Sequence, residues 1–114
     1  MTTYFRYHYD CKIVRVVDGD TVELDIDLGF NVTIRETCRL RGINAPEMRG
    51  ASRPAGIKSK TALEKMIKAV RQMTCWTHKD KRGKYGRMLV TLFDDMNREI
   101  NTEMVTQGFA VYYS

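Results

Sequence analysis

Apolar and polar positions alternate strictly from Thr21 to Leu28. Val22, Leu24, Ile26 and Leu28 share one face, and Thr21, Glu23, Asp25 and Asp27 share the other. That period of two predicts a half-buried strand. Upstream, residues 11–17 (CKIVRVV) are rich in β-branched side chains and predict a first strand, with Asp18-Gly19-Asp20 as the turn between the two. Gly29-Phe30-Asn31 supplies a hairpin connection. Val32, Ile34, Cys38 and Leu40 then continue the apolar face along a third, long strand, with Arg35, Arg39 and Arg41 opposite.

The period changes after a loop from Gly42 to Ala51. Leu63, Met66, Ile67 and Val70 fall at i, i+3, i+4, i+7, the spacing of one helical face. Ser52 is placed to cap that helix and Pro54 lies in its first turn, where a missing N–H does no harm. The helix is expected to reach about Arg71, with Lys58, Lys60, Lys65 and Lys68 on a solvated face. Residues 73–78 and 87–93 predict two more strands, joined by a basic loop from Lys79 to Tyr85. A short second helix from about Asn101 stops at Gly108, and Phe109 to Tyr113 forms an extended tail. Three strands, a helix, two strands and a helix describe a small α+β domain. A five-stranded OB-type barrel with two helices fits best, and residues 1–114 form one domain.

Composition narrows the function class. A chain of 114 residues with 43% hydrophobic and 29% charged positions is an ordinary globular domain that needs no disulfide staples. Cys11, Cys38 and Cys75 are odd in number and widely spaced, so neither a zinc site nor a disulfide framework is expected, only buried free thiols. No stretch approaches membrane-spanning length, so no membrane partner is expected. Residues 1–10 lack the apolar run of a signal peptide. A native Met1 implies a cytoplasmic protein; a removed leader would imply a secreted or periplasmic one. Nineteen Lys and Arg against fourteen Asp and Glu give a net charge of +5, which favours a polyanionic partner.

Candidate chemistry lies in three segments. Asp18 and Asp20 flank a glycine, an arrangement that reads first as a turn and also suits a hard cation seeking oxygen ligands. In Ile43-Asn44-Ala45-Pro46-Glu47, Pro46 holds Ala45 extended, so that the Asn44 oxygen, the Ala45 carbonyl and the Glu47 carboxylate can converge on one cation. Arg39, shortly before that segment, and Arg87, after Tyr85-Gly86, add planar guanidinium groups of the kind that clamp phosphate oxygens. Acids with two such arginines are an inventory for phosphodiester hydrolysis. His8 and His78 sit at no motif position and are read as structural, as are Trp76, Phe93, Met66 and Met73.

Residues 17–22 (VDGDTV), 39–47 (RLRGINAPE) and 84–87 (KYGR), in that order and in those strand contexts, resemble the thermonuclease (staphylococcal nuclease-like) family from about Lys12 to Tyr113. The resemblance implies a five-stranded OB-type barrel and a Ca²⁺-dependent nuclease acting on DNA and RNA, leaving 3′-phosphates. It implies Asp20, Asn44 and the Ala45 carbonyl as metal ligands, with Asp18 supporting the turn. Glu47 would hold or deprotonate the attacking water, and Arg39 and Arg87 would contact the scissile phosphate. Tyr85, Tyr113 and Lys84 are expected at the nucleotide.

Two departures stand out. Asn44 occupies a position where the best-known member has aspartate; a unit charge at ~4 Å in a dielectric of ~20 is worth ~4 kcal/mol, so weaker Ca²⁺ binding or an altered metal preference is expected. The best-known enzyme also continues into a third helix, which this chain lacks, leaving an edge that a second subunit would cover in a homodimer. The competing reading is a catalytically silent OB-type module that binds nucleic acid. It leaves the combination of Asp20, Arg39, Glu47 and Arg87 unexplained, because binding alone has no need of Glu47.

Overall fold

The computed structural model describes residues 6–82 and 86–113. The elements are β1 (His8–Asp18), β2 (Thr21–Gly29), β3 (Val32–Leu40), β4 (Ile43–Asn44), a 3₁₀ turn (Gly50–Ser52), α1 (Arg53–Lys68), β5 (Met73–Arg82), β6 (Met88–Phe93), α2 (Ile100–Thr106) and β7 (Val111–Tyr112). Five strands close a barrel in the order β1-β2-β3-β6-β5. All neighbours are antiparallel except β3 and β6, which run parallel over Cys38–Leu40 and Met88–Val90. This is a five-stranded closed barrel with two helices, an OB-type arrangement.

The alternating residues fill the barrel as their pattern requires. Val22, Leu24 and Ile26 of β2 meet Cys38 and Leu40 of β3, Cys75 of β5 and Val90 and Leu92 of β6 in one buried cluster. Leu63 of α1 and Ile100 and Met104 of α2 extend the same cluster outside the strands. The expected apolar face does not stay buried to the hairpin tip. Leu28, Val32 and Ile34 are 39%, 48% and 40% exposed, because the β2–β3 hairpin runs past the point where β3 pairs with β6. Phe30 and Asn31 make the tip with φ of 55° and 61°.

Several expected boundaries shift. β5 continues to Arg82, so the first part of the expected Lys79–Tyr85 loop is strand. The segment expected to be a loop after β3 and the extended tail contain two short strands that pair, Ile43 with Tyr112 and Asn44 with Val111. α1 ends at Lys68, three residues before Arg71. Ser52 stands at its N-cap without a capping bond. α2 does stop before Gly108, whose φ is +84°; Phe109 and Ala110 N–H both donate to the Met104 carbonyl, 2.9 and 3.1 Å.

The sequence marks Asn101 only as a helix start, yet it is buried and its side-chain amide is bonded at both ends. Its Nδ2 donates to the carbonyls of Arg41 (2.9 Å) and Val90 (3.1 Å), and its Oδ1 accepts from Leu92 N–H (3.1 Å). It thereby ties α2 to β6 and to the chain leaving β3. The three cysteines are buried free thiols. A hydrogen bond with Cys75, together with burial, pushes the Cys11 thiol above its ordinary value.

His78 is structural. It is buried, with Nε2 3.0 Å from Thr91 Oγ1, and burial, with the charges of Arg41 and His8, pulls its pKa from 6.5 to about 4. The fold therefore favours the neutral ring. Its contribution is complete above pH 6.5 and is lost as pH falls from 6.5 towards 4, a change on the order of 3 kcal/mol. Urea unfolding at pH 7.5 and pH 4.5 is expected to show a smaller pH-dependent loss for His78→Gln than for the wild type. Equal losses would show that His78 does not carry this dependence.

Candidate active site

The turn between β1 and β2 presents Asp18 and Asp20. Asp20 is buried and has both carboxylate oxygens engaged: Oδ1 accepts from Thr21 Oγ1 (3.0 Å) and Oδ2 from Ala45 N–H (2.8 Å). Its carbonyl accepts from Leu40 N–H (2.7 Å), which ties the turn to the end of β3. Asp18 Oδ1 accepts from Asp20 N–H (3.3 Å), so Asp18 does support the turn. Burial and the neighbouring Asp20 push the Asp18 carboxyl up to about 6.

Arg39 pairs with Thr21 across β2 and with Leu89 across β6, which aims its side chain at the turn. The side chain is only 12% exposed. Nη1 donates to the Ile43 carbonyl (2.8 Å) and more distantly to that of Leu40 (3.4 Å). Nη2 donates to Asn44 Oδ1 (2.6 Å) and lies 3.7 Å from Asp20 Oδ2. The Tyr113 ring stacks beside the guanidinium, 5.4 Å from Cζ to the ring centroid, and Tyr113 N–H donates to the Gly42 carbonyl (2.8 Å). The guanidinium thus lies between an aspartate, an asparagine and a tyrosine drawn from three parts of the chain.

The segment after β3 contributes the rest. Pairing of β4 with β7 fixes Asn44, and Ala45 meets Asp20 through its N–H. Glu47 projects outward with its side chain 68% exposed, its Oε2 3.2 Å from Arg49 Nε. Arg87, just before β6, donates from Nη1 to Thr21 Oγ1 (3.4 Å). Asp18, Asp20, Arg39, Asn44, Ala45, Glu47 and Arg87 all line one cleft of about 470 Å³, and Arg49 joins them on its rim. Tyr113 borders it through Arg39. Tyr85 and Lys84 lie outside the described residues.

Two features lie outside the sequence pattern. Thr21 falls on the polar face of β2 by alternation, yet it is wholly buried because its hydroxyl is shared between Asp20 and Arg87. Arg49 faces Glu47, and its sequence context, an exposed loop, gave no signal of that. Chemically the cleft offers oxygen donors beside three guanidinium groups, a surface matched to a phosphate with an associated hard cation. Among the described residues, no three His, Cys, Asp or Glu side chains cluster tightly enough to hold a metal by themselves. A cation here would rely on Asn44, on backbone oxygen and on water as well.

The staphylococcal nuclease homologue family model matches residues 37–114. The match takes in Arg39, the Asn44–Glu47 segment and Arg87 but begins after the Asp18–Asp20 turn, which the fold joins to them through Asp20 and Ala45. An uncharacterized protein of Methanocaldococcus jannaschii is 29% identical over 93% of this chain and 60% of its own length. The succinoglycan biosynthesis protein ExoI of Rhizobium meliloti is 30% identical over 84% of this chain and 48% of its own. The chain thus spans only part of the length of these curated relatives.

Proposed function

The chain belongs to the staphylococcal nuclease homologue family, and from that premise we propose that it is a Ca²⁺-dependent nuclease that hydrolyses phosphodiester bonds of DNA or RNA and leaves 3′-phosphates. One observation carries the reading: Asp20, Arg39, Asn44, Glu47 and Arg87, spread over most of the sequence, line the same cleft.

The donor chemistry fits Ca²⁺. Asp18 and Asp20 place two carboxyl groups side by side, and Asn44 and Glu47 add oxygen donors to the same cleft, with no His or Cys among its described lining residues. Asp20, Asn44 and the Ala45 carbonyl would hold the ion. When bound, it would polarise the phosphoryl group and make a bound water more acidic. Arg39 and Arg87 would grip the phosphate and stabilise charge as it builds on the non-bridging oxygens. Glu47 would orient the attacking water and take its proton; it lines the cleft, and its exposed carboxylate is paired with Arg49. Tyr113, beside Arg39, would bear on the nucleotide, together with Tyr85 and Lys84.

The test is cleavage of end-labelled single-stranded DNA and RNA with Ca²⁺, with Mg²⁺ and with EDTA. Cleavage with Ca²⁺, abolished by EDTA and giving phosphatase-sensitive 3′ ends, is the expected result. Binding of both nucleic acids without cleavage under any metal condition would replace this reading with that of a binding module.

A further inference from the structure

We infer that the first turns of α1 act as the template of the site, with Ser52 and Gly56 positioning Glu47 and with Ser59 seating the Asp18–Asp20 turn. The inference rests on the nuclease reading above but concerns residues outside the cleft.

Two contacts define the Glu47 side. Ser52 Oγ, absent from its expected role as a helix cap, lies 3.0 Å from the Glu47 carbonyl and 3.0 Å from that of Arg49. Gly56, four residues further on, lies hard against the same peptide group. A Cβ at Gly56 would stand 2.5 Å from the Glu47 carbonyl oxygen, 2.7 Å from its carbon and 2.9 Å from Met48 Cγ. The first two are backbone atoms and have no rotamer with which to yield. Glycine is otherwise a poor choice inside a helix, because alanine orders at lower entropic cost and shields the backbone. Its presence at Gly56 is explained by the approach of the Glu47 backbone. Arg53 Nη1 adds a longer bond to the Met48 carbonyl (3.3 Å), so the helix start reaches three successive carbonyls after Pro46.

The other side is one turn along. Ser59 is wholly buried, and its hydroxyl finds no hydrogen-bond partner among the described residues. A Cβ at Gly19 would overlap Ser59 Oγ and would stand 2.8 Å from both Ser59 Cβ and Ala45 Cβ. Gly19 is the centre of the turn that carries Asp20, and Ala45 is the residue whose N–H Asp20 accepts. Gly56 and Ser59 are adjacent on the inward face of α1, with Ala62 and Leu63 continuing into the core. A single helix therefore backs both the peptide that carries Glu47 and the turn that carries Asp20. Their separation is set by three residues of helix rather than by the loops themselves. Mispositioning by about 1 Å at a reacting centre can cost on the order of 10²-fold in rate, which is why such a backing matters.

The experiment uses four changes: Gly56→Ala, Ser52→Ala, Gly19→Ala, and Gly19→Ala with Ser59→Gly. Thermal melting, Ca²⁺ titration by calorimetry, cleavage kinetics and amide resonances are measured for each. Gly56→Ala is expected to lower the melting temperature despite the better helix former, to shift the Glu47 and Met48 amides, and to reduce kcat by about 10- to 100-fold with Ca²⁺ affinity unchanged. Ser52→Ala should move the same amides and kcat in the same direction by less, and it removes no packing, so it decides the matter if Gly56→Ala fails to fold. Gly19→Ala is expected to weaken Ca²⁺ binding and stability, and Ser59→Gly in the same chain to restore part of both. A Gly56→Ala protein that melts higher than wild type with unmoved Glu47 and Met48 amides would overturn the inference. So would a Gly19→Ala protein that melts and binds Ca²⁺ as the wild type does. If the wild type neither binds Ca²⁺ nor cleaves, the nuclease reading fails, while the amide shifts and the Gly19–Ser59 stability comparison still decide the positioning role.

Discussion

Arg39→Ala is expected to lower kcat by about 10²–10³-fold, the usual consequence of removing one preorganised donor to a developing oxyanion. The size follows from how the side chain is held. An exposed arginine samples many rotamers and must be ordered by substrate, whereas this guanidinium is already fixed by the carbonyl of Ile43, by Asn44 Oδ1, by Asp20 and by the Tyr113 ring. Its ordering cost is met in folding rather than in catalysis. Removing it also leaves the Ile43 carbonyl and the Asn44 oxygen without their donor, so a lower melting temperature is expected alongside the kinetic loss. Arg39→Lys separates the two effects. An ammonium keeps the charge, yet it cannot address Ile43 and Asn44 through a planar fork while facing phosphate with its remaining edge. Lysine is therefore expected to recover much of the stability and little of the rate. Single-turnover cleavage of a short DNA substrate at saturating Ca²⁺ is the measurement. A lysine variant with wild-type kcat would show that only charge is needed and that the clamp has no catalytic meaning.

Much of this arrangement was legible in the sequence because alternation reports which way a strand faces. Val22, Leu24 and Ile26 went into the barrel as their spacing required, and Arg39, on the opposite parity from Cys38 and Leu40, emerged at the turn. Alternation does not report where a barrel ends. Leu28, Val32 and Ile34 obey the same period but lie beyond the last pairing with β6, and they stay partly exposed. Nor does it find the pairing of β4 with β7, since two residues have no period. The family resemblance implies that Asp20, Asn44, Glu47 and Arg87 share one site, and the barrel brings them to one cleft. What the spacing could not show is how each polar group spends its bonds. Ser52 is in position to cap α1, but the Glu47 and Arg49 carbonyls are close enough to take its hydroxyl instead. Thr21 looks solvent-facing until Asp20 and Arg87 are seen to share it.

Asn44 is the sharpest case of such competition and carries the second large effect. As a metal ligand it would have a single oxygen to offer, and that oxygen is 2.6 Å from Arg39 Nη2. A bond that short to a cation draws density from the same oxygen a second cation would need. Asn44→Asp relieves the conflict, because a carboxylate can hold Arg39 with one oxygen and present the other, with a full negative charge, to Ca²⁺. Solvent and relaxation reduce the bare Coulomb figure, so the expected gain in Ca²⁺ affinity is about 10- to 100-fold, or ~1.4–2.8 kcal/mol. Asn44→Ala completes the comparison. Should Asn44 serve Arg39 first and the metal second, alanine will lower kcat while leaving Ca²⁺ affinity nearly as it was. Should it be a full ligand, both will fall together. Calorimetric titration of the three proteins with Ca²⁺ at fixed ionic strength separates these outcomes without reference to cleavage. An aspartate variant that binds no more tightly than asparagine would mean that the ion, if it binds, sits out of reach of this side chain and depends on Asp20 and its surrounding backbone.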